Sequence, residues 1–284
     1  MKKFHLSWKS GLCWVWLLLM LGLLSVNSPP RAEAAATFQS PLASLPDSPS
    51  ATRRIFLPWV SRSGAAAASP CTATGQTYGR LPPVVPAAGD ISKHPDVNLA
   101  IRGYAATTAP LNLVDYTGQV DPNAPQLYTL FANRRTPTFS SAYQVYRWDW
   151  TCNCRSGLIT KWPVTLLGMR TTAGETIHLP VAGYDIGGGY GALVLYAEPT
   201  RITLKYTRDD DVVEGYTLHL ENICVDANLL ALYRSLNAAG RGELPALKPG
   251  QALGRASGNQ IHAAIRDSGS FLDPRSRKDW WQGR

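Results

Sequence analysis

Short apolar runs broken by glycine-rich turns fill the last third of the chain, and they restrict it to a β-rich fold. The runs 164–167, 176–179, 192–196, 202–206 and 216–220 have the length and composition of strands. The turn Gly183-Tyr-Asp-Ile-Gly-Gly-Gly-Tyr-Gly191 separates two of them. Residues 226–236 form the one helix the pattern supports. Asp226 supplies a cap, Leu229, Leu230, Leu232, Tyr233 and Leu236 recur at helical spacing, and Gly240 and Gly242 end it. Residues 261–265 read as a closing strand. Short strands with one helix over roughly 120 residues predict a mostly β fold, a compact β-sandwich or open barrel, in the segment 161–284.

Upstream, residues 71–160 are dense in Pro, Gly, Tyr and Trp, with strand candidates at 127–131 and 143–150. The second alternates aromatic with polar residues, as a half-exposed strand does. This part reads as β or irregular structure of unassigned role. Residues 37–70 are rich in Ser, Pro and Ala and hold too little apolar surface to offset their ordering entropy. They read as a flexible tether, within which Ile55-Phe-Leu-Pro-Trp-Val60 is an apolar run suited to docking. Residues 1–36 read as a secretory signal peptide: Lys2, Lys3 and Lys9, an apolar run, then Ala34, Ala35 and Ala36. That run, about 16 residues, is short of the roughly 20 that span a bilayer. Membrane contact is therefore expected only through this segment if it stays uncleaved, and the mature chain is expected outside the cytoplasm, secreted or attached to the envelope.

The chain has 28 Lys and Arg against 20 Asp and Glu, a formal net charge of +8. Beyond residue 36 the excess is small and scattered, and no basic stripe interleaved with aromatics points to nucleic acid. Cys13 falls in the signal segment. Cys71, Cys152, Cys154 and Cys224 remain, and an even number in an exported chain reads as two disulfides with three pairings open. Only Asn153 separates Cys152 from Cys154, so the expectation is that each pairs with one of the distant cysteines, Cys71 and Cys224.

Several pieces follow one another in a recognisable order: Gly174-Glu-Thr-Ile, Gly189-Tyr-Gly191-Ala-Leu-Val-Leu, Tyr216-Thr-Leu-His219-Leu220, Lys248-Pro-Gly250-Gln-Ala-Leu-Gly254, Gln260-Ile-His262 and Asp273-Pro274. Over residues 164–274 this order resembles the lysostaphin/LytM-type zinc metallopeptidases, whose fold is the duplicated hybrid motif. The resemblance implies that His219 occupies the place of a catalytic histidine and His262 that of a zinc ligand. Gln260 stands where the family has a second catalytic histidine. The family's upstream His-x3-Asp ligand pair falls on Val164-Thr-Leu-Leu-Gly168, which has neither ligand.

A zinc site needs three or four closely placed His, Cys or carboxylate ligands. With one of three in place, the expectation is a pseudoenzyme: no cofactor, no catalysis, and a cleft binding envelope glycan or peptide, or a protein partner. The alternative is a zinc endopeptidase acting on cell-wall peptides with a rebuilt site, drawing on His94 and Asn98, His178 or Asp185. A structural envelope protein is a further alternative. Asp209-Asp210-Asp211 reads as a solvated turn, and Trp280 and Trp281 as packed on the domain with the neighbouring charges in water.

Overall fold

The computed structural model describes residues 71–87 and 89–284; the expected signal segment, the tether and Cys13 lie outside the described residues. Fourteen strands occur among the described residues: β1 (Gly79–Leu81), β2 (Tyr104–Ala106), β3 (Phe139–Asp149), β4 (Cys154–Leu158), β5 (Leu166–Arg170), β6 (Thr176–His178), β7 (Ala192–Glu198), β8 (Arg201–Lys205), β9 (Tyr216–Glu221), β10 (Ile223–Val225), β11 (Leu244–Leu247), β12 (Ala252–Ala256), β13 (Gln260–Asp267) and β14 (Ser270–Leu272). The helices are α1 (Leu99–Arg102), α2 (Ala227–Ala238) and α3 (Arg277–Trp280).

The large sheet runs β1-β11-β7-β8-β9-β13-β5-β3-β2, with β14 added to β13 and β4 to β3. A smaller sheet, β10-β12-β6, stands apart, and the named strands pair antiparallel throughout. The β-rich expectation holds. The division expected near residue 160 falls inside the large sheet, because β3 pairs with β5 and β1 with β11.

Alternation along the central strands explains the layering. Ile202 and Leu204, Leu218 and Leu220, and Ile261, Ala263 and Ile265 all enter the main core. There they meet Ile177 of β6, Ile223 and Val225 of β10, Leu253 and Ala256 of β12, and Leu229 and Tyr233 of α2. Strand side chains alternate between faces, so the intervening residues turn to the opposite face: Thr203 and Lys205, Thr217, His219 and Glu221, and His262, Ala264 and Arg266. All of these are buried too. A second, smaller core of Leu99, Val145, Leu166, Ala264 and Phe271 covers part of that face.

Helix α2 forms where the sequence places it. The Asp226 carboxylate accepts from the backbone N–H of Asn228 and Leu229, the two donors that a cap must satisfy. Residues 127–131 differ from expectation: Leu127–Leu130 is a 3-10 helix, with Leu127 and Leu130 buried three residues apart. The acidic run also departs from a solvated turn. Asp210 is buried and takes two hydrogen bonds from Arg241, 2.7 Å from Nε and 2.6 Å from Nη2.

Trp280 and Trp281 are buried and donate to the carbonyls of Asp273 and Pro274. Arg275, expected in water, is buried as well, paired with Asp273. Arg277 keeps to the surface and pairs with Asp115.

The disulfides correct the expected pairing. Cys71 joins Cys224 and Cys152 joins Cys154, with Cα–Cα distances of 4.9 and 5.3 Å. The segment after Cys71 is laid along β10, β12 and the start of α2. Thr74 donates to the Asp226 carboxylate, and Arg255 donates to the Thr72 carbonyl. Cys152 lies in the β3–β4 turn and Cys154 opens β4, both exposed, and Asn153 between them takes a positive φ of 53°. Two disulfides fit an oxidising compartment outside the cytoplasm. No helix among the described residues is long and apolar enough to cross a membrane.

The two bridges should differ in weight. The Cys71–Cys224 link spans a sequence separation of 153, against 2 for Cys152–Cys154. Loop-closure entropy predicts that replacing both Cys71 and Cys224 by Ser lowers the unfolding free energy by about 2–5 kcal/mol. Replacing Cys152 and Cys154 should cost distinctly less. Urea denaturation of the two double variants measures the difference.

Candidate functional site

His219 and His262 lie on neighbouring strands of the sheet and on the same face. The β9–β13 register sets His219 opposite Ala264 and Glu221 opposite His262. The two histidines are thus diagonal neighbours, a relation that separates residues by about 7–8 Å in an antiparallel sheet. Across β5, Gly168 stands opposite His262. A Cβ there would run into the Ser141 hydroxyl. Val164, at the other expected ligand position, lies in the main core.

This face is sealed by the chain segment that precedes it in sequence. Asp96, Val97 and Asn98 are buried against β13, β8 and β7, and α1 and β2 continue the cover. The fastening is ionic. Asp96 accepts from Arg102 Nε at 2.6 Å and pairs with Arg266 Nη1 at 3.2 Å. Arg266 also donates to the Asp96 carbonyl at 2.9 Å. Phe271 of β14 completes the lid, with the Arg266 guanidinium 4.7 Å from its ring centroid.

Under this cover His219 is 1% exposed. Its ring stacks on Phe271, centroids 6.1 Å apart and planes 22° from parallel. The Thr203 hydroxyl donates to the Val97 carbonyl at 2.6 Å and lies 3.1 Å from His219 Nδ1. Its single proton is committed to Val97, so Nδ1 carries the imidazole proton and Nε2 holds the lone pair. Burial, with the Arg266 and Arg102 cations, pushes the His219 pKa down to about 3, against a smaller upward pull from Asp96.

His262 is also buried, 4% exposed, and burial lowers its pKa. Tyr104 and Tyr143 close around it, with ring centroids at 6.0 and 5.1 Å. The Asn222 amide nitrogen comes no nearer than 3.5 Å to either ring nitrogen. The Tyr104 hydroxyl donates to Glu221 at 3.1 Å. Burial raises the Glu221 pKa, with Arg201 and Tyr104 opposing. Gln260 is half-buried, and its side-chain oxygen accepts from the Ser140 hydroxyl at 2.8 Å.

The remaining candidates do not join them. His94 leans on Trp150, ring centroids 5.4 Å apart, and accepts from the Asp96 N–H, while Asn98 donates to the Tyr196 hydroxyl. The residues around Pro95, readable from sequence as a surface turn, are buried against the sheet. His178 contacts the Leu130 carbonyl, and Asp185 caps a turn at Gly187. Among the described residues no three His, Cys, Asp or Glu side chains gather as a metal would require. His219 offers one enclosed lone pair; His262 has Glu221 opposite it on β9 and Gly168, with no side chain, opposite it on β5.

Seven buried side-chain polar atoms have no hydrogen-bond partner among the described residues, and six belong to this face or its cover. They are Asn98 Oδ1, Thr217 Oγ1, His219 Nε2 and Arg266 Nε, with Arg201 Nε and Glu221 Oε1, which make no hydrogen bond but stand 3.7 Å apart as an ion pair. An unpaired buried polar atom costs about 1–3 kcal/mol, so packing alone does not account for such a stripe. Sequence reasoning found the two histidines but missed Glu221, Tyr104, Asp96 and Arg266. The alternation of ionisable with apolar residues in β8, β9 and β13 was the available signal.

A buried neutral His219 makes stability fall with acid. The unfolded chain takes up a proton near the ordinary histidine value of 6.5, and the folded chain resists until about 3. Between those limits the unfolded state binds more protons, so lower pH favours it, by up to about 1.4 kcal/mol per pH unit for this group. Replacing His219→Gln should remove that increment. Unfolding free energies of both proteins between pH 6.5 and 4 give the difference; parallel profiles would count against it.

No family model, no curated protein and no solved structure matches this chain.

Proposed function

We propose that this chain is an exported, non-catalytic relative of the lysostaphin-type zinc peptidases that binds the cell-wall polymer, or a protein held in it, without cutting. The order of turns and strands over residues 164–274 supports the relationship, as an expectation from sequence. The observation that carries the loss of catalysis is the enclosure of His219. A general base has to reach its proton directly or through one water. Here Nε2 is buried without a hydrogen-bond partner, and the ring stacks on Phe271. Gln260, at the second catalytic position, cannot move a proton and is engaged with Ser140.

The buried polar stripe supports the same reading. A two-sided sheet is stabilised best by apolar residues on both faces. A face with His, Glu, Arg, Thr and Lys beneath a cover is what a once-solvated site retains after closure. The amino-terminal signal-like segment and the two disulfides support export.

Two measurements on the purified mature chain test this reading. It should be retained on isolated cell-wall polymer, release no peptides from it, and take up no stoichiometric zinc when the metal is supplied. Retention should survive His262→Ala. Stoichiometric zinc that is lost in His262→Ala, together with peptide release, would establish the endopeptidase instead.

A further inference from the structure

The other face of the sheet ends in an open trough where β9 begins and β13 finishes. A cavity of about 530 Å³ there is lined by Tyr116, Trp162, Tyr216 and Trp280 and by Asp121 and Asp267, among others. A second cavity of about 310 Å³ adjoins it through the shared residues Asp121, Tyr216 and Asp267, and adds Tyr184 and Tyr206. Tyr216 and Asp267 are register partners, so this waist is built on paired backbone.

Its charge runs against that of the chain. Arg275 is spent on Asp273 and the Pro110 carbonyl, and Lys278 on Asp279 and the Gln119 carbonyl. Asp121 and Asp267 have no Lys or Arg within ion-pair distance among the described residues. Asp121 is held in place by the hydroxyls of Tyr184 and Tyr216, at 2.5 and 2.9 Å, and by the Asn123 N–H at 2.8 Å. Burial pulls its pKa up, but those hydrogen bonds outweigh it and keep the carboxyl ionised. In a chain of net charge +8, two unneutralised carboxylates stand between aromatic rings.

The rings are arranged in edge pairs. Tyr116 meets Trp162 at 5.0 Å and 72°, and Tyr216 meets Trp280 at 5.6 Å and 89°. Aromatic faces attract cations through the ring quadrupole, and an adjoining carboxylate supplies the counter-charge. A neutral ligand would leave both carboxylates without compensation, and an anion would be repelled.

We propose that this trough binds an organic ammonium group, the class that includes amino sugars, amine-bearing side chains and quaternary ammonium compounds. The proposal deepens the binding role given above, since it names the chemistry by which the polymer or partner would be held. It uses the face opposite His219, so it does not depend on the histidines.

The test is calorimetric titration of the mature chain with choline and with its neutral carbon isostere. Choline should bind at one site, at least tenfold more tightly than the isostere. Asp267→Asn should weaken choline about tenfold or more. Gln119→Lys, at an exposed rim position, should weaken it several-fold without touching the packed rings. Equal binding of the two probes, or choline affinity unchanged in Gln119→Lys, would overturn the proposal even if Asp267→Asn fails to fold. Retention on cell-wall polymer with no choline binding would sink the trough and leave the binding role intact. Choline binding with no retention on polymer would do the reverse.

Discussion

The contact between Asp96 and Arg266 decides what the centre of this molecule can be. It fastens a segment from the amino-terminal part of the described chain onto a sheet built largely from the carboxy-terminal part. Arg102 adds a second cation to the same carboxylate, and Phe271 lies beneath both guanidinium groups. Breaking a buried pair by removing one partner typically costs about 3–5 kcal/mol, because the other charge is stranded. The lid, α1 and β2 are therefore part of the fold. Tyr104 could not reach Glu221 and His262 without them.

The same cluster explains the chemistry of the histidines. Arg266 and Arg102 lie close enough to disfavour an imidazolium at His219, and burial disfavours it further. Thr203 turns the ring so that its lone pair faces inward. Each of these effects stabilises a neutral imidazole. Of the carboxylates on this face, Asp96 is engaged with Arg102 and Arg266, and Glu221, opposite His262, is pushed toward its neutral form by burial.

Much of the scaffold was legible in the sequence. The strands β6 to β9, β13 and α2 lie close to where short-range periodicity and the Asp226 cap place them. Short-range signals stop at contacts between distant residues. Asp210 looks like one of three solvated carboxylates until Arg241, 31 residues on, is folded against it. Thr203, Lys205, Thr217, His219 and Arg266 alternate with apolar residues, and such a pattern ordinarily marks a face in water. Its cover comes from 170 residues upstream of Arg266, in a Pro-rich stretch without helical or strand periodicity. The cysteines failed for the same reason. Their pairing follows from how residues 71–78 lie along α2 and β12, and spacing carries no trace of that. Leu127 to Leu130 misled differently: four residues with two leucines fit a strand or a 3-10 turn equally, and only burial of Leu127 and Leu130 together separates them.

Composition misleads about the trough in an instructive way. A net charge of +8 points toward anionic partners when it is spread over the surface. In this fold several of the cations are consumed internally. Arg102, Arg266, Arg241 and Arg275 are all engaged with buried carboxylates. Arg102 and Arg266 share Asp96, so these four cations meet three carboxylates; internal pairing leaves the net charge of the chain unchanged, but it decides where uncompensated charge remains. At Asp121 and Asp267 the remainder is negative, confined to a concave surface walled by low-dielectric rings, where a field is focused rather than dispersed. A ligand arriving there meets the local potential of the cleft. The sign of that potential, and not the sign of the whole chain, selects what can bind.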